Sequence, residues 1–332
     1  MRGVRHTQSG HSRERVFVTA YRNDEAEKVA QNLRRLHGAS NGLHELAADP
    51  QSASIIMIGG IGNEMRQRDY LLQTLNNRLI DAFARKCFTF SYRDTPVVFN
   101  RGVYEGATTS RWAPGRCSAG TYALSGHFNG KIGAMPVAGK DLLFSFIGRI
   151  SHKCRAQILT QQYNRRDIVL EDTSQFHYWT APDHVRDDRE SHFASVLSRS
   201  KFCLCPRGVG TGSIRLFEAM RAGVAPVVIA DRWVRPMGIA WDEFSIFVGE
   251  NDLRSLERRI VERERDFGAI GNAARRAWDA HFSEPEHFNY LVDVCVTMMR
   301  EQRIPESAYW ASRHLIASTA VATNLGRRLR RA

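Results

Sequence analysis

Between Lys201 and Ala219 the chain reads K-F-C-L-C-P-R-G-V-G-T-G-S-I-R-L-F-E-A. A buried-type strand ends at Pro206, glycines recur at 208, 210 and 212, and a helix is expected from Ser213 to Ala222. Glycine lets a backbone approach an anion closely, and a helix N-terminus presents free N–H groups and partial positive charge to it. The segment therefore reads as a cradle for a diphosphate. Ser213 can cap the helix or donate to a phosphate oxygen, and Arg207 or Arg215 can supply counter-charge. Glu218 follows Arg215 by three residues, about one turn in from the phosphate end, at a depth suited to both hydroxyls of a ribose. The same spacing also fits a surface ion pair on a helix that merely packs.

Around this segment, strands alternate with helices. In the second half, strands are expected at Asp141–Ile147, Asp167–Leu170, Lys201–Cys205, Ala225–Ala230 and Ser245–Val248. Helices separate them, with a long loop to Glu190 before one that ends at Arg199. The first half opens on a strand at Arg15–Tyr21 and a helix to about His37 capped by Asn23 or Asp24. The run Ile55–Ile58 is a buried strand with Gly59-Gly60-Ile61-Gly62 as its loop. Glu64–Lys86 has helical spacing, Cys87–Tyr92 and Pro96–Asn100 look extended, and Arg101–Gly139 reads as functional loops. The fold class is α/β with parallel sheets. Residues 1–13 form a disordered lead, 14–138 a first Rossmann-like domain, 139–284 a second, and 285–332 a helical segment for which packing back on the first domain is the ordinary use.

At 332 residues, 43% of them hydrophobic, the chain can fill two cores. No stretch is long and apolar enough for a membrane span or a signal peptide, so a cytoplasmic location is expected. The formal charge is +12, and only six of the 47 basic residues are lysine. Arginine suits phosphate. No RNP motif, zinc finger or helix-turn-helix directs the charge to nucleic acid, so a phosphate-bearing substrate or an anionic membrane surface is the better partner. The basic end at Arg327, Arg328, Arg330 and Arg331 carries the peripheral-membrane option. The six cysteines lack metal or redox spacing and read as buried thiols.

Other motifs are weaker. Gly208-x-Gly210-x-x-Ser213 lacks the third glycine of the dinucleotide fingerprint, and Gly60-x-Gly62 is fainter still. Neither ends in the Gly-Lys-Ser/Thr of a P-loop, and there is no D-x-D to clamp a metal. An NAD(P)-dependent oxidoreductase and a non-catalytic nucleotide-sugar-binding protein remain as alternatives.

The stretch Phe193-x-x-x-Leu197-x-x-Ser200-Lys201-Phe202-Cys203-Leu204-x-Pro206-x-Gly208, continuing through Ser213-x-Arg215-x-x-Glu218-Ala219, Gly223-x-x-Pro226-Val227-Val228 and Asp231, resembles the exostosin-type glycosyltransferases. So do Trp241-x-x-Phe244-Ser245-Ile246-Phe247-Val248-x-Glu250 downstream and Phe146-Ile147-Gly148 with Arg155-x-x-x-Leu159 upstream. The likeness covers roughly residues 140–260, whereas the first 135 match loosely, and Phe193 stands where the family usually has tyrosine.

The resemblance implies two facing Rossmann-like domains (GT-B-like), acceptor side first and donor side second. It implies inverting transfer from a nucleotide-diphosphate sugar, commonly a UDP-sugar, to a glycan or glycoconjugate hydroxyl, with no cofactor and no obligatory metal. Position by position, Glu218 would hold the ribose, Ser213 with Gly208, Gly210 and Gly212 the diphosphate, and Arg155 and Arg215 would neutralise it. Arg149, close to the same strand end, and Arg207 complete the donor set. An inverting transfer needs a base for the acceptor hydroxyl. The candidates are Asp94, Glu105 and His127 in loops of the first domain, with Asp94 preferred and His127 next.

Overall fold

The computed structural model describes residues 12–60, 62–63, 66–110, 115–122, 128–133, 139–178 and 180–318. Two parallel sheets organise them. The first takes β1 (Arg15–Ala20), β2 (Glu45–Leu46), β3 (Ile55–Gly59), β4 (Cys87–Ser91), β5 (Gly102–Tyr104) and β6 (Cys117–Ser118) in the order β2-β1-β3-β4-β5-β6. The second takes β7 (Leu142–Gly148), β8 (Ile168–Asp172), β9 (Ser200–Pro206), β10 (Ala225–Ile229) and β11 (Ile246–Phe247) in the order β11-β10-β9-β7-β8. The α/β class with two facing Rossmann-like units is the architecture observed.

Helices explain the strand compositions. The strands β3, β4, β7 and β10 are buried along their whole length and read I-I-M-I-G, C-F-T-F-S, L-L-F-S-F-I-G and A-P-V-V-I. Continuous apolar runs of this kind belong to parallel strands covered on both faces. The first helix, α1 (Asp24–Ala39), starts at Asn23, whose side chain accepts from the Ala26 N–H at 2.8 Å. All six cysteines are buried and unpaired.

In the second sheet β8 lies on one side of β7, while β9, β10 and β11 lie on the other. The carboxyl ends of β7 and β9 thus flank the crevice where open α/β sheets bind ligands. Across that crevice stand the carboxyl ends of β4 and β5. Thr211, just past β9, donates its hydroxyl to Ala107 O at 2.7 Å, and Thr108 forms an isolated bridge with Trp233.

Several elements differ from the sequence expectation. Pro96–Asn100 forms no strand; the strand lies at Gly102–Tyr104, inside the stretch read as loop. A Cβ on Gly102 would fall 2.0 Å from Thr89 O, so the missing side chain is what lets β5 approach β4. The helical run Glu64–Lys86, of which 64 and 65 lie outside the described residues, is two helices, α2 (Gln67–Leu75) and α3 (Arg78–Phe83), plus a short 3-10 turn. Asn76 closes the first and Asn77 caps the second, accepting from the Leu79 and Ile80 N–H groups at 3.0 and 3.3 Å. The loop expected up to Glu190 turns helical earlier, and α5 spans Asp183–Arg199. Its first half carries no apolar stripe because the buried residues begin at Phe193.

After α6 (Ile214–Ala222), closed by Gly223 at φ 68°, come α7 (Trp241–Phe244), α8 (Leu256–Glu262) and α9 (Phe267–His281). The next helix, α10 (Glu284–Glu301), lies along α1, with the His37 ring edge-on to Phe288 at 5.0 Å and Asn289 bonded to Asn41 at 3.1 Å. The short α11 (Glu306–Ala311) docks on the first sheet's side of the molecule. Arg116 gives Glu306 two hydrogen bonds of 3.1 and 2.7 Å, and Trp310 Nε1 donates to Asp81 at 2.6 Å. Among the described residues no helix is long and apolar enough to cross a membrane. The lead before Ser12 and the basic Arg327–Arg331 end lie outside the described residues.

Both partners of the Arg116–Glu306 pair are largely buried, so removing one strands a charge away from water. We expect Glu306→Ala to lower stability by about 3–5 kcal/mol in urea unfolding, on the scale of a broken buried pair.

Candidate active site

Two cavities open where the sheets face each other. The larger, about 590 Å³, sits at the carboxyl ends of β7 and β9. The smaller, about 200 Å³, is bounded by Asp94 and Tyr122 from the first half and by Arg155, Gly208, Gly210 and Ser213 from the second. The glycine loop after β9 runs between them.

None of the loop glycines has positive φ. Each sits instead where a side chain would crowd a neighbour. A Cβ on Gly208 would come within 3.1 Å of Ser151 Oγ and 3.2 Å of Arg155 Nη2. On Gly210 it would meet Asp94 Oδ1 at 3.0 Å, and on Gly212 the Tyr122 hydroxyl at 3.2 Å and Glu105 O at 3.3 Å. The loop is thus pressed between α4 (Lys153–Thr160) and the first half. Gly208 and Val209 remain open to the cavities, whereas Gly210, Thr211 and Gly212 are buried.

Arg155, on α4, holds the loop's root. Its guanidinium donates to Pro206 O at 3.0 Å, Arg207 O at 2.9 Å and Arg149 O at 3.1 Å, joining the ends of β7 and β9. Burial, then repulsion from Arg215, lowers its pKa to about 10, which leaves it protonated at neutral pH. It borders both cavities.

Arg215 and Glu218 form the ion pair the spacing allows, at 2.8 Å, but not on the surface. Glu218 is 2% exposed and lines the larger cavity beside Arg215. Burial raises its proton affinity and Arg215 draws it back, while its other oxygen accepts the Asn129 N–H at 3.3 Å. Arg215 also donates to Ile147 O at 3.1 Å and lies over the Phe193 ring at 4.3 Å. A phenylalanine at 193 therefore serves as the platform for the arginine.

Ser213 stands at the N-cap of α6 without capping it. Its hydroxyl is buried, has no hydrogen-bond partner among the described residues and borders the smaller cavity. Arg149 is exposed and lines the larger cavity. Arg207 lines neither cavity. Its guanidinium curls back to Gly208 O and Val209 O and faces Glu250 at 3.7 Å, because Glu250, held by Asp231, sits behind the loop.

Asp94 follows β4 and reaches the crevice. Asn63 Nδ2 donates to Asp94 Oδ2 at 3.1 Å, and the Asp94 N–H donates to Asn63 Oδ1 at 3.1 Å. Burial raises the carboxyl's proton affinity above the ordinary range, against Asn63, Arg155, Arg93 and the Gly210 backbone, which stabilise the charge. His127 lies outside the described residues. Glu105 is 1% exposed, and neither of its oxygens has a hydrogen-bond partner among the described residues. Burial, with Asp94 adding repulsion, keeps it protonated well above the usual carboxylate range, which disfavours it as a base.

Sequence reasoning missed one wall of the larger cavity: Phe176, Tyr178, Arg189, Glu190 and His192. Arg189 lies over Phe176 at 5.7 Å, and the Tyr178 hydroxyl bonds Glu190. The only signal was an aromatic pair in a polar loop, and that pattern does not say which way the rings turn.

Facing parallel α/β sheets put an arginine-lined cavity at a switch point, the place where open α/β folds bind their ligands. Residues 120–263 match the family model of the Exostosin GT47 domain. The Exostosin-1 homolog of Caenorhabditis elegans is 32% identical over 129 residues, 36% of this chain and 34% of that one. Exostosin-1 of Drosophila melanogaster is 30% identical over 184 residues, 51% of this chain and 24% of that one. A probable glucuronosyltransferase of Oryza sativa subsp. japonica is 41% identical over 84 residues, 25% of this chain and 20% of its own length. The chain thus spans between 20% and 34% of the length of these relatives.

Glu105 generates a stability prediction. Unfolded, it ionises near its ordinary value of 4.5; folded, it keeps its proton to much higher pH. The unfolded state then holds fewer protons, so this group's contribution falls as pH rises above about 4.5. In unfolding curves from pH 4 to 8 we expect Glu105→Leu to gain stability relative to wild type as pH rises; a constant difference would contradict the buried acid.

Proposed function

We propose that the chain is a glycosyltransferase that moves a sugar from a nucleoside-diphosphate sugar, a UDP-sugar, to a hydroxyl of a glycan or glycoconjugate. One observation carries this reading. The buried Arg215–Glu218 pair and the glycine loop meet at the carboxyl ends of β7 and β9 around a cavity of about 590 Å³, a size suited to a small-molecule site. The match to the Exostosin GT47 domain over residues 120–263 supports the same reading.

In this reading Glu218 accepts from the ribose hydroxyls, and the diphosphate lies at the N-terminus of α6. There Ser213 Oγ donates to it, and Arg155, Arg149 and Arg215 supply charge. Asp94 stands across the loop as base. The acceptor hydroxyl gives its proton to Asp94 while its oxygen bonds the anomeric carbon from the face opposite the diphosphate. The bond from that carbon to the diphosphate oxygen breaks, and the nucleoside diphosphate leaves with the electron pair, inverting the centre. Arginine charge and the helix dipole meet the negative charge that develops on the leaving group. A carboxylate of raised proton affinity is the stronger base for this step.

The test begins with UDP binding by calorimetry and UDP release from UDP-glucose, UDP-galactose, UDP-glucuronic acid and UDP-N-acetylglucosamine. Glu218→Ala and Arg215→Ala each remove a charge-assisted hydrogen bond, about 1.5–3 kcal/mol, so UDP affinity falls roughly ten- to hundred-fold without unfolding. Asp94→Asn keeps UDP affinity and loses turnover, and excess EDTA leaves wild-type turnover intact. A wild type that binds UDP yet turns over none of these donors with any acceptor ends the enzyme reading.

A further inference from the structure

The faint Gly60-x-Gly62 motif after β3 takes no part in the donor site. Its glycines hold the backbone flat against the first half's core. A Cβ on Gly59 would fall 2.2 Å from Ala26 O, one on Gly60 would fall 2.6 Å from Phe90 O, and one on Gly62 would fall 2.3 Å from the Tyr92 hydroxyl. The Gly60 N–H donates to Phe90 O at 2.6 Å, and Arg93 Nη1 donates to Gly62 O at 2.9 Å. The loop so held ends on Asn63, whose amide meets Asp94 twice, once at the carboxylate and once at the backbone N–H.

We propose that this glycine loop is a support that delivers Asn63 as the positioning residue of Asp94. The inference rests on the reading of Asp94 as base. Two hydrogen bonds in one ring fix the aspartate's side chain against its own backbone, which a single bond cannot do. With Oδ2 occupied by Asn63, Oδ1 is the oxygen turned toward Gly210 and the seam between the sheets. The amide also sets proton affinity: Asn63 donates to the ionised carboxylate and holds its pKa down, against burial. Among the described residues, the charged or titratable groups facing Asp94 are its neighbour Arg93, Arg155 from α4, Glu105 after β5 and Tyr122; the Gly210 backbone faces it from the loop. Beside them, Asn63 is a neutral side chain that touches both the carboxylate and the backbone N–H of the aspartate.

The experiment uses the full chain with three variants, Asn63→Ala, Asn63→Asp and Asp94→Asn. The readouts are UDP affinity, turnover of the UDP-sugar that wild type uses fastest, its pH profile, and the Asp94 carboxyl titration by carbon-13 NMR, assigned with Asp94→Asn. We expect Asn63→Ala to leave UDP affinity unchanged, lower kcat roughly ten-fold or more, and move both the acidic limb and the NMR titration of Asp94 to higher pH. Asn63→Asp keeps an acceptor for the Asp94 N–H but adds a like charge, so it moves the limb further up. An Asn63→Ala protein with wild-type kcat, profile and titration overturns the inference while leaving Asp94 as base. Turnover that survives in Asp94→Asn overturns the reading of the base itself, and the NMR titration then decides separately whether Asn63 governs the aspartate.

Discussion

Two backbones pressed together without side chains between them set the geometry of this molecule. The loop after β9 meets Asp94, Glu105 and Tyr122 of the first half through Gly210 and Gly212, and Gly106 of the first half lies with a would-be Cβ only 2.2 Å from Asp94 O. A methyl group at Gly210 or Gly212 would crowd the facing half, and one at Gly106 would displace the Asp94 backbone inside the first half. The contact decides how far the strand ends of one sheet stand from those of the other, and so the size of the cavities between them. It also divides the loop into a more exposed part, Gly208 and Val209, and a buried part, Gly210, Thr211 and Gly212.

Charge is arranged on the same frame. Arg155 donates three hydrogen bonds to backbone carbonyls at the ends of two strands, and among the described residues no carboxylate pairs with it at bonding distance. Its positive field is thus left for an anion in the crevice. Arg215 is bound to Glu218, so part of its charge is offset by the carboxylate beside it. The acids on the opposite wall differ by environment. Asp94 keeps polar partners that stabilise its charge, whereas Glu105, buried without them, stays protonated. Two carboxyl groups on neighbouring strand ends thereby acquire different chemistry.

Legibility in the sequence followed burial. In the second half, β7, β9 and β10 stand within a residue or so of their expected positions, since continuous apolar runs bounded by glycine or proline admit few other readings. The first half misled where a residue's role depends on its neighbour across the sheet. Gly102 reads as loop and is strand, because the close approach of Thr89 needs a glycine. The long amphipathic run to Lys86 reads as one helix and breaks at Asn77, where a capping side chain outweighs periodicity. Of the arginines the sequence pointed to, Arg155 and Arg215 line the larger cavity, but Arg207 turns to Glu250, a partner 43 positions away in the chain that local spacing cannot reveal.

By itself the sequence determined the parallel α/β class, the helix start after the glycine loop and the family likeness of the second half. These rest on local patterns of apolar burial, backbone freedom and charge spacing, which act within a few turns of chain. Only the tertiary structure decided that Asp94 faces the loop, that Glu105 is sealed off as an acid, and that Glu218 is buried at a cavity wall. It also decided that Asn63 clasps Asp94. Each of these depends on which residues of the first half meet the second, and that is settled by long-range packing, on which the order of residues along one segment is silent.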